Sequence, residues 1–168
     1  MEQKKLYRTI ETVASKKFDS EKDLLFDVVQ QIVENQNINV TGGRVWQLLP
    51  AKKGYQLLFQ TGNVSRIEGN FVLKIDEYPV LDEIAKERTV LADETNKTLK
   101  AKGIFKYSAS GVGKKIKING KSYYQYLLAV NSANIDEDLN YTLNIVATVL
   151  TSKLNERRLV ASRKHLIA

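Results

Sequence analysis

The stretch Ile116-Lys117-Ile118-Asn119-Gly120-Lys121-Ser122-Tyr123-Tyr124-Gln125-Tyr126-Leu127-Leu128-Ala129-Val130-Asn131 carries two signals back to back. Asn119-Gly120 between alternating residues predicts a tight hairpin, because both central residues of such a turn adopt positive φ. The return strand, Ser122 to Asn131, is apolar on both faces. Tyr124, Tyr126, Leu128 and Val130 alternate to one side, and Tyr123, Leu127 and Ala129 to the other. A strand buried on both sides sits centrally in a sheet that is covered on both faces.

Working outward, every glycine and proline lies between Gly42 and Gly120. Those residues break regular structure most strongly, so a turn-rich centre is flanked by two helix-compatible arms. In the first arm, Leu6, Ile10, Val13 and Ala14 recur at helical spacing and predict a helix from about Glu2 to Lys17. Ser20 and Asp23 then form a Ser-x-x-acid cap. Behind it Leu24, Leu25, Val28, Val29, Ile32 and Val33 make a wide apolar stripe, suited to core packing, for a second helix ending near Glu34. The last arm starts near Asn134, with Asp136, Glu137 and Asp138 at the positive end of its dipole. Its apolar residues are dense from Leu139 to Leu150 and thin from Asn155 onward, and it runs to Ala168 without a stop signal.

The centre reads as strands. Arg44 to Leu49 is one, stopped by Pro50; Lys52-Lys53-Gly54 turns the chain; Tyr55 to Gln60 returns, ending at Gly62. Phe71 to Ile75 is extended, Pro79 opens a short helix with Val80, Leu81 and Ile84, Val90 to Lys102 is ambiguous, and Ile104 to Ser108 is another strand. One face of the sheet falls to the terminal helices. The segments between Ile67 and Lys102 are left for the other, where a ligand could lodge.

Composition narrows the chemistry. The chain has 168 residues, enough for one domain with a real core, and no apolar run of membrane-spanning length or signal-peptide kind; a cytoplasmic protein is expected. It has no cysteine, which excludes disulfides, thiolate metal sites and Cys nucleophiles, and its single histidine, His165, is remote from the centre. No catalytic residue and no metal site are identified, and an enzyme is not expected. The net charge of +7 is concentrated between Lys97 and Lys121. That stretch reads as a solvated lysine face. The alternative is a surface for nucleic acid or an acidic partner, although no arginine, the usual phosphate fork, lies in it.

The order helix, helix, strand, hairpin strand, irregular middle, strand, Asn-Gly hairpin, long helix resembles a GAF domain over about residues 20–156. The residues that carry the resemblance are Arg44-Val45-Trp46-Gln47-Leu48, Tyr55-Gln56-Leu57 with Thr61-Gly62, and Leu127-Leu128-Ala129-Val130-Asn131 followed by Ile135-Asp136-Glu137-Asp138-Leu139. The resemblance implies an α+β fold with an antiparallel sheet of about six strands, terminal helices on one face and a lid of short helices and loops on the other. It further implies a sensory or regulatory role, binding a cyclic nucleotide or another small molecule, or serving as a ligand-free dimerisation module. Residues 1–19 would be an N-terminal helix for dimerisation or linkage, 20–154 the domain, and 155–168 the start of a signalling helix leading to an output domain, a cyclase, phosphatase or similar, absent from this chain. A homodimer through the terminal helices is expected. Asn131 and Asp138 match the cyclic-nucleotide motif, but its Lys and Phe positions are Ser132 and Ile135, and serine cannot supply the motif's ion pair. Without cysteine there is no thioether-linked bilin and no methionine-sulfoxide reductase chemistry.

Phe71, Tyr107, Tyr124 and Tyr126 are candidate pocket residues, with Arg88 and Asn96 as polar contacts from the lid. Trp46 reads as core. The segment Ser108 to Lys115 looks superficially phosphate-binding, but the P-loop's first Gly and its final Ser or Thr fall on Ser108 and Lys115, so it reads as a flexible turn. Asp82-Glu83 and Asp93-Glu94 are adjacent acids whose side chains diverge on a helix, and they read as solvated.

Overall fold

Strand β1 (Gly42–Leu48) lies at the middle of a six-stranded sheet and pairs with β2 (Gly54–Gly62) on one side and β8 (Tyr126–Asn131) on the other. In the computed structural model the sheet order is β3-β2-β1-β8-β5-β4. It is completed by β3 (Val72–Lys74), β4 (Thr89–Asp93) and β5 (Lys106–Val112), and every neighbouring pair is antiparallel. A separate two-stranded ribbon consists of β6 (Ile116–Ile118) and β7 (Lys121–Tyr123). The helices are α1 (Gln3–Ser15), α2 (Glu21–Glu34) and α3 (Glu137–Ile167). The structure describes residues 3–15, 17–34, 42–49, 54–62, 71–74, 89–93, 106–113, 116–118, 120–123, 125–131 and 137–167, with side chains omitted at 3–7, 9, 89–93, 106, 116, 137–139 and 162–167.

The Asn-Gly hairpin closes as the sequence predicts. Ile118 pairs with Lys121 across a two-residue loop, and Gly120 takes φ +81°. The strand after it does not continue as one piece. Tyr123 lies against the Arg158 guanidinium and Tyr126 bonds Glu21, the partner of Arg158. Residues three apart point to opposite faces of an unbroken strand, so the chain breaks between β7 and β8 and resets its parity. The Tyr123 side of the predicted alternation is therefore corrected, while Leu127 and Leu128 do face opposite ways.

Alternation along β8 splits the core in two. Tyr126, Leu128 and Val130, with Val45 and Val112, join Leu24, Leu25, Val28, Val29 and Ile32 of α2 and Leu143, Val146, Leu150 and Leu154 of α3. Leu127 turns to the far face with Trp46, Leu48, Tyr55, Leu57, Leu73 and Ala109. Helix α2 starts as its cap predicts, with the Asp23 amide donating to Ser20 Oγ at 3.1 Å. It presses close to the sheet at Gly43, where a Cβ would lie 2.6 Å from a Val29 methyl.

Two elements differ from expectation. Strand β5 runs through Ser108-Ala109-Ser110-Gly111-Val112, the stretch read as a flexible turn. These small residues, poor in intrinsic strand preference, let α3 lie close: Ser108 Oγ bonds Asn140 Oδ1 at 2.7 Å, and both Ser108 and Ser110 are buried. The ambiguous Val90 to Lys102 stretch supplies most of β4. Packing of α3 also reaches beyond Leu154 to a fully buried Arg158. Helix α1 ends against α3, whose Lys153 donates to the Ala14 carbonyl at 2.8 Å and so covers one of the open carbonyls at that end. The short helix expected at Pro79 lies outside the described residues; of the Ile67 to Lys102 span expected to supply the lid, β3 and β4 are edge strands of the sheet instead, and most of the rest lies outside the described residues. No helix among the described residues is long and apolar enough to cross a membrane.

Candidate functional site

Because α2 and α3 occupy one face, the other face of the sheet is where side chains from β1, β2, β5 and β8 can meet a ligand. Its floor is apolar: Trp46, Leu57 and Leu127, with Phe71 set edge-on to Trp46 at 6.3 Å between ring centroids. Polar pairs stand at either end. Arg44 Nη1 donates to Asn131 Oδ1 at 3.0 Å, with both residues buried. The register makes them diagonal neighbours, since Arg44 faces Ala129 directly and Asn131 lies two residues further on. Gln60 is opposite Arg44 on β2, and Tyr107 is opposite Asn131 on β5. At the other end, Tyr55 Oη donates to Gln125 Oε1 at 2.5 Å. Burial pushes the Tyr55 hydroxyl well above the ordinary phenol range, so it stays a neutral donor.

Of the candidates named from sequence, Phe71 and Tyr107 fall on this face, with Tyr107 partly buried against both cores. Asn131 is there too, holding Arg44. Trp46 is core, as read. Tyr126 is not there. It points to the helix face, where Oη bonds Glu21 Oε2 at 2.9 Å. Its hydroxyl is also pushed above the phenol range, first by burial and then by the charge and hydrogen bond of Glu21, against the opposing pull of Arg158. Arg88, Asn96 and Tyr124 lie outside the described residues, and of Asp138 only the backbone is described, at the start of α3. Asp82-Glu83, Glu94 and five of the eight lysines from Lys97 to Lys121 lie outside as well, whereas Lys117 and Lys121 are exposed. Among the described residues no group of three or more His, Cys, Asp or Glu side chains could hold a metal.

Sequence reasoning passed over Arg44, Gln125, Glu21 and Arg158. Arg44 was legible as a charge inside an otherwise apolar strand, a pattern that announces a buried partner. Arg158 carried no such sign, because it stands among Arg157, Asn155 and Glu156 in a polar stretch.

No protein-family model matches the chain, and no curated protein matches it. Solved structures do. The GAF domain from a phosphoenolpyruvate-protein phosphotransferase of Coxiella burnetii superposes with a TM-score of 0.64 at 16% identity, covering 95% of this chain and 95% of that one. The phycocyanobilin-bound GAF domain from a cyanobacterial phytochrome gives a TM-score of 0.64 at 12% identity, over 95% and 97%. Free methionine-R-sulfoxide reductase from Neisseria meningitidis, solved with its substrate, gives 0.62 at 14% identity, over 95% and 89%. The fold shared across these structures is the α+β GAF fold.

Proposed function

We propose that this GAF-fold chain is a sensory module, without catalytic activity of its own, that binds a small molecule on the far face of its sheet. Its occupied or empty state is passed through α3 to a separate effector domain. The observation that carries this is the far face itself: a buried arginine held by Asn131 at one end, a neutral tyrosine donor held by Gln125 at the other, and aromatic floor between them. Apolar lining with a few fixed polar groups is the make-up of a small-molecule site. Fold neighbours solved with a bilin or with a sulfoxide substrate support a ligand-binding use of the architecture. Neither ligand transfers directly, because a chain without cysteine can form no thioether to a bilin and no thiol-based reductase centre. The effect on α3 is a population shift set by the ligand's preference between two arrangements.

The test is a thermal-shift screen with cyclic nucleotides, other nucleotides and metabolites. A ligand present at about a hundred times its Kd adds about 2.7 kcal/mol and raises the melting point by about 5–10 °C. Asn131→Ala is expected to abolish that shift. A screen in which nothing stabilises the protein, or a shift that survives Asn131→Ala, speaks against the far face as the site.

A second reading, assembly as a homodimer through the terminal helices, rests on exposed apolar side chains of α3. Tyr141 and Leu159, 61% and 50% exposed, are 18 residues apart, which is five full helical turns and hence one face; Val160 is exposed beside Leu159. Light scattering is expected to give twice the 19.1 kDa chain mass. A monomer at high concentration would remove the dimer.

A further inference from the structure

A second cavity lies on the opposite side of the sheet from the proposed ligand face, where the start of α2, the ribbon strand β7 and the distal part of α3 converge. Its volume is about 420 Å³, within the range of small-molecule sites. Its lining brings together segments far apart in sequence: residues 19–22, residues 121–123 with Tyr126, and Arg157, Arg158 and Ala161. Four cations reach it, Lys22, Lys121, Arg157 and Arg158, against the carboxylates of Asp19 and Glu21.

The charges are held in different ways. Arg158 is 1% exposed and forks onto Glu21, with Nε to Oε1 at 2.7 Å and Nη2 to Oε2 at 3.2 Å, so Glu21 is already matched within the wall. Arg157 donates to the Phe18 carbonyl at 3.0 Å and to the Asp19 carbonyl, and these uncharged partners leave its positive charge uncompensated by them. Lys22 and Lys121 are exposed at the rim, with the Lys121 ammonium 5.2 Å from the Tyr123 ring centroid. With Arg158 set against Glu21, three cations face one exposed carboxylate, Asp19. A partly enclosed cavity with that balance has a positive potential, strengthened by the low-dielectric walls.

We infer that this cavity is an anion site for a compact phosphorylated small molecule, separate from the far-face site and independent of whether that face binds anything. The two rim lysines contact the phosphate as mobile point charges. Arg157 adds a fixed charge from α3. Occupancy therefore ties the distal part of α3 to α2 and to the ribbon, elements that otherwise meet there through Arg157 and Arg158.

The probe is inorganic pyrophosphate, titrated into the full chain and followed by amide NMR at constant ionic strength. Saturable shifts are expected to concentrate at residues 19–22, 121–123 and 157–161. The double variant Lys22→Ala/Lys121→Ala, which alters exposed side chains only, is expected to keep the melting point and weaken pyrophosphate binding about tenfold. Shifts that never saturate identify atmospheric ion binding and overturn the site. So does unchanged affinity in the double variant. Saturable shifts centred on Arg44 and Asn131 instead move the anion to the far face, which overturns this inference while supporting the sensory reading.

Discussion

Arg158→Met is expected to lower the unfolding free energy by about 3 kcal/mol, the scale of breaking a buried ion pair from one side. Methionine keeps much of the apolar stem of the arginine, so the change isolates the guanidinium. What it leaves behind is the cost. The Glu21 carboxylate, 17% exposed, loses both of its arginine hydrogen bonds and retains the Tyr126 hydroxyl. The Tyr123 ring also loses the cation 5.0 Å from its centroid. A group left buried and charged costs more than the pair was worth, which gives the experiment its second arm. Removing the stranded charge as well, in Arg158→Met/Glu21→Gln, is expected to recover most of the loss. Urea unfolding of the two variants beside the parent chain measures both. If the double variant is no more stable than the single one, the arginine contributes by packing rather than by holding a charge.

Leu128→Ala is the other large effect, at about 3 kcal/mol and about 6–12 °C in melting point. Leu128 is fully buried in the strand that lies between β1 and β5, opposite Val45 on one side and Ser110 on the other. Its side chain enters the core that α2 and α3 build on the sheet. Truncation removes three carbons from a place with two helices above and a strand on each flank, so the cavity has little means to close. Lys117→Ala, at an exposed position of β6, is expected to change stability by no more than about 0.5 kcal/mol. Thermal and urea unfolding of the pair measure the contrast. Equal effects would mean that β8 is not the buried centre of the fold.

Much of the fold was legible because its signals are local. The Ser20 cap, the α2 stripe and the Asn119-Gly120 turn depend on residues within one turn of each other. The extent of β5 was not, since Ser108-Ala109-Ser110-Gly111 has neither apolar alternation nor β-branched residues; its strand state is imposed by pairing with β8 and by α3 lying on it. Of the candidate site, Phe71, Tyr107 and Asn131 were legible as aromatic or polar residues in extended segments. Tyr126 was grouped with them although its alternation with Leu128 and Val130 holds, because which side of that strand the helices cover is decided only by tertiary packing.

The sequence by itself determined the order of elements, the two-faced character of Leu127-Leu128-Ala129-Val130 and the absence of thiol chemistry, because spacing and residue type are properties of the chain alone. Only the tertiary structure decided that Arg44 meets Asn131, 87 positions away, and that Glu21 meets Arg158, 137 positions away. Such pairs are set by strand register and helix docking. No local pattern encodes them: the energy that selects them is the cost of burying a charge without its partner, and that cost arises only once the chain has folded.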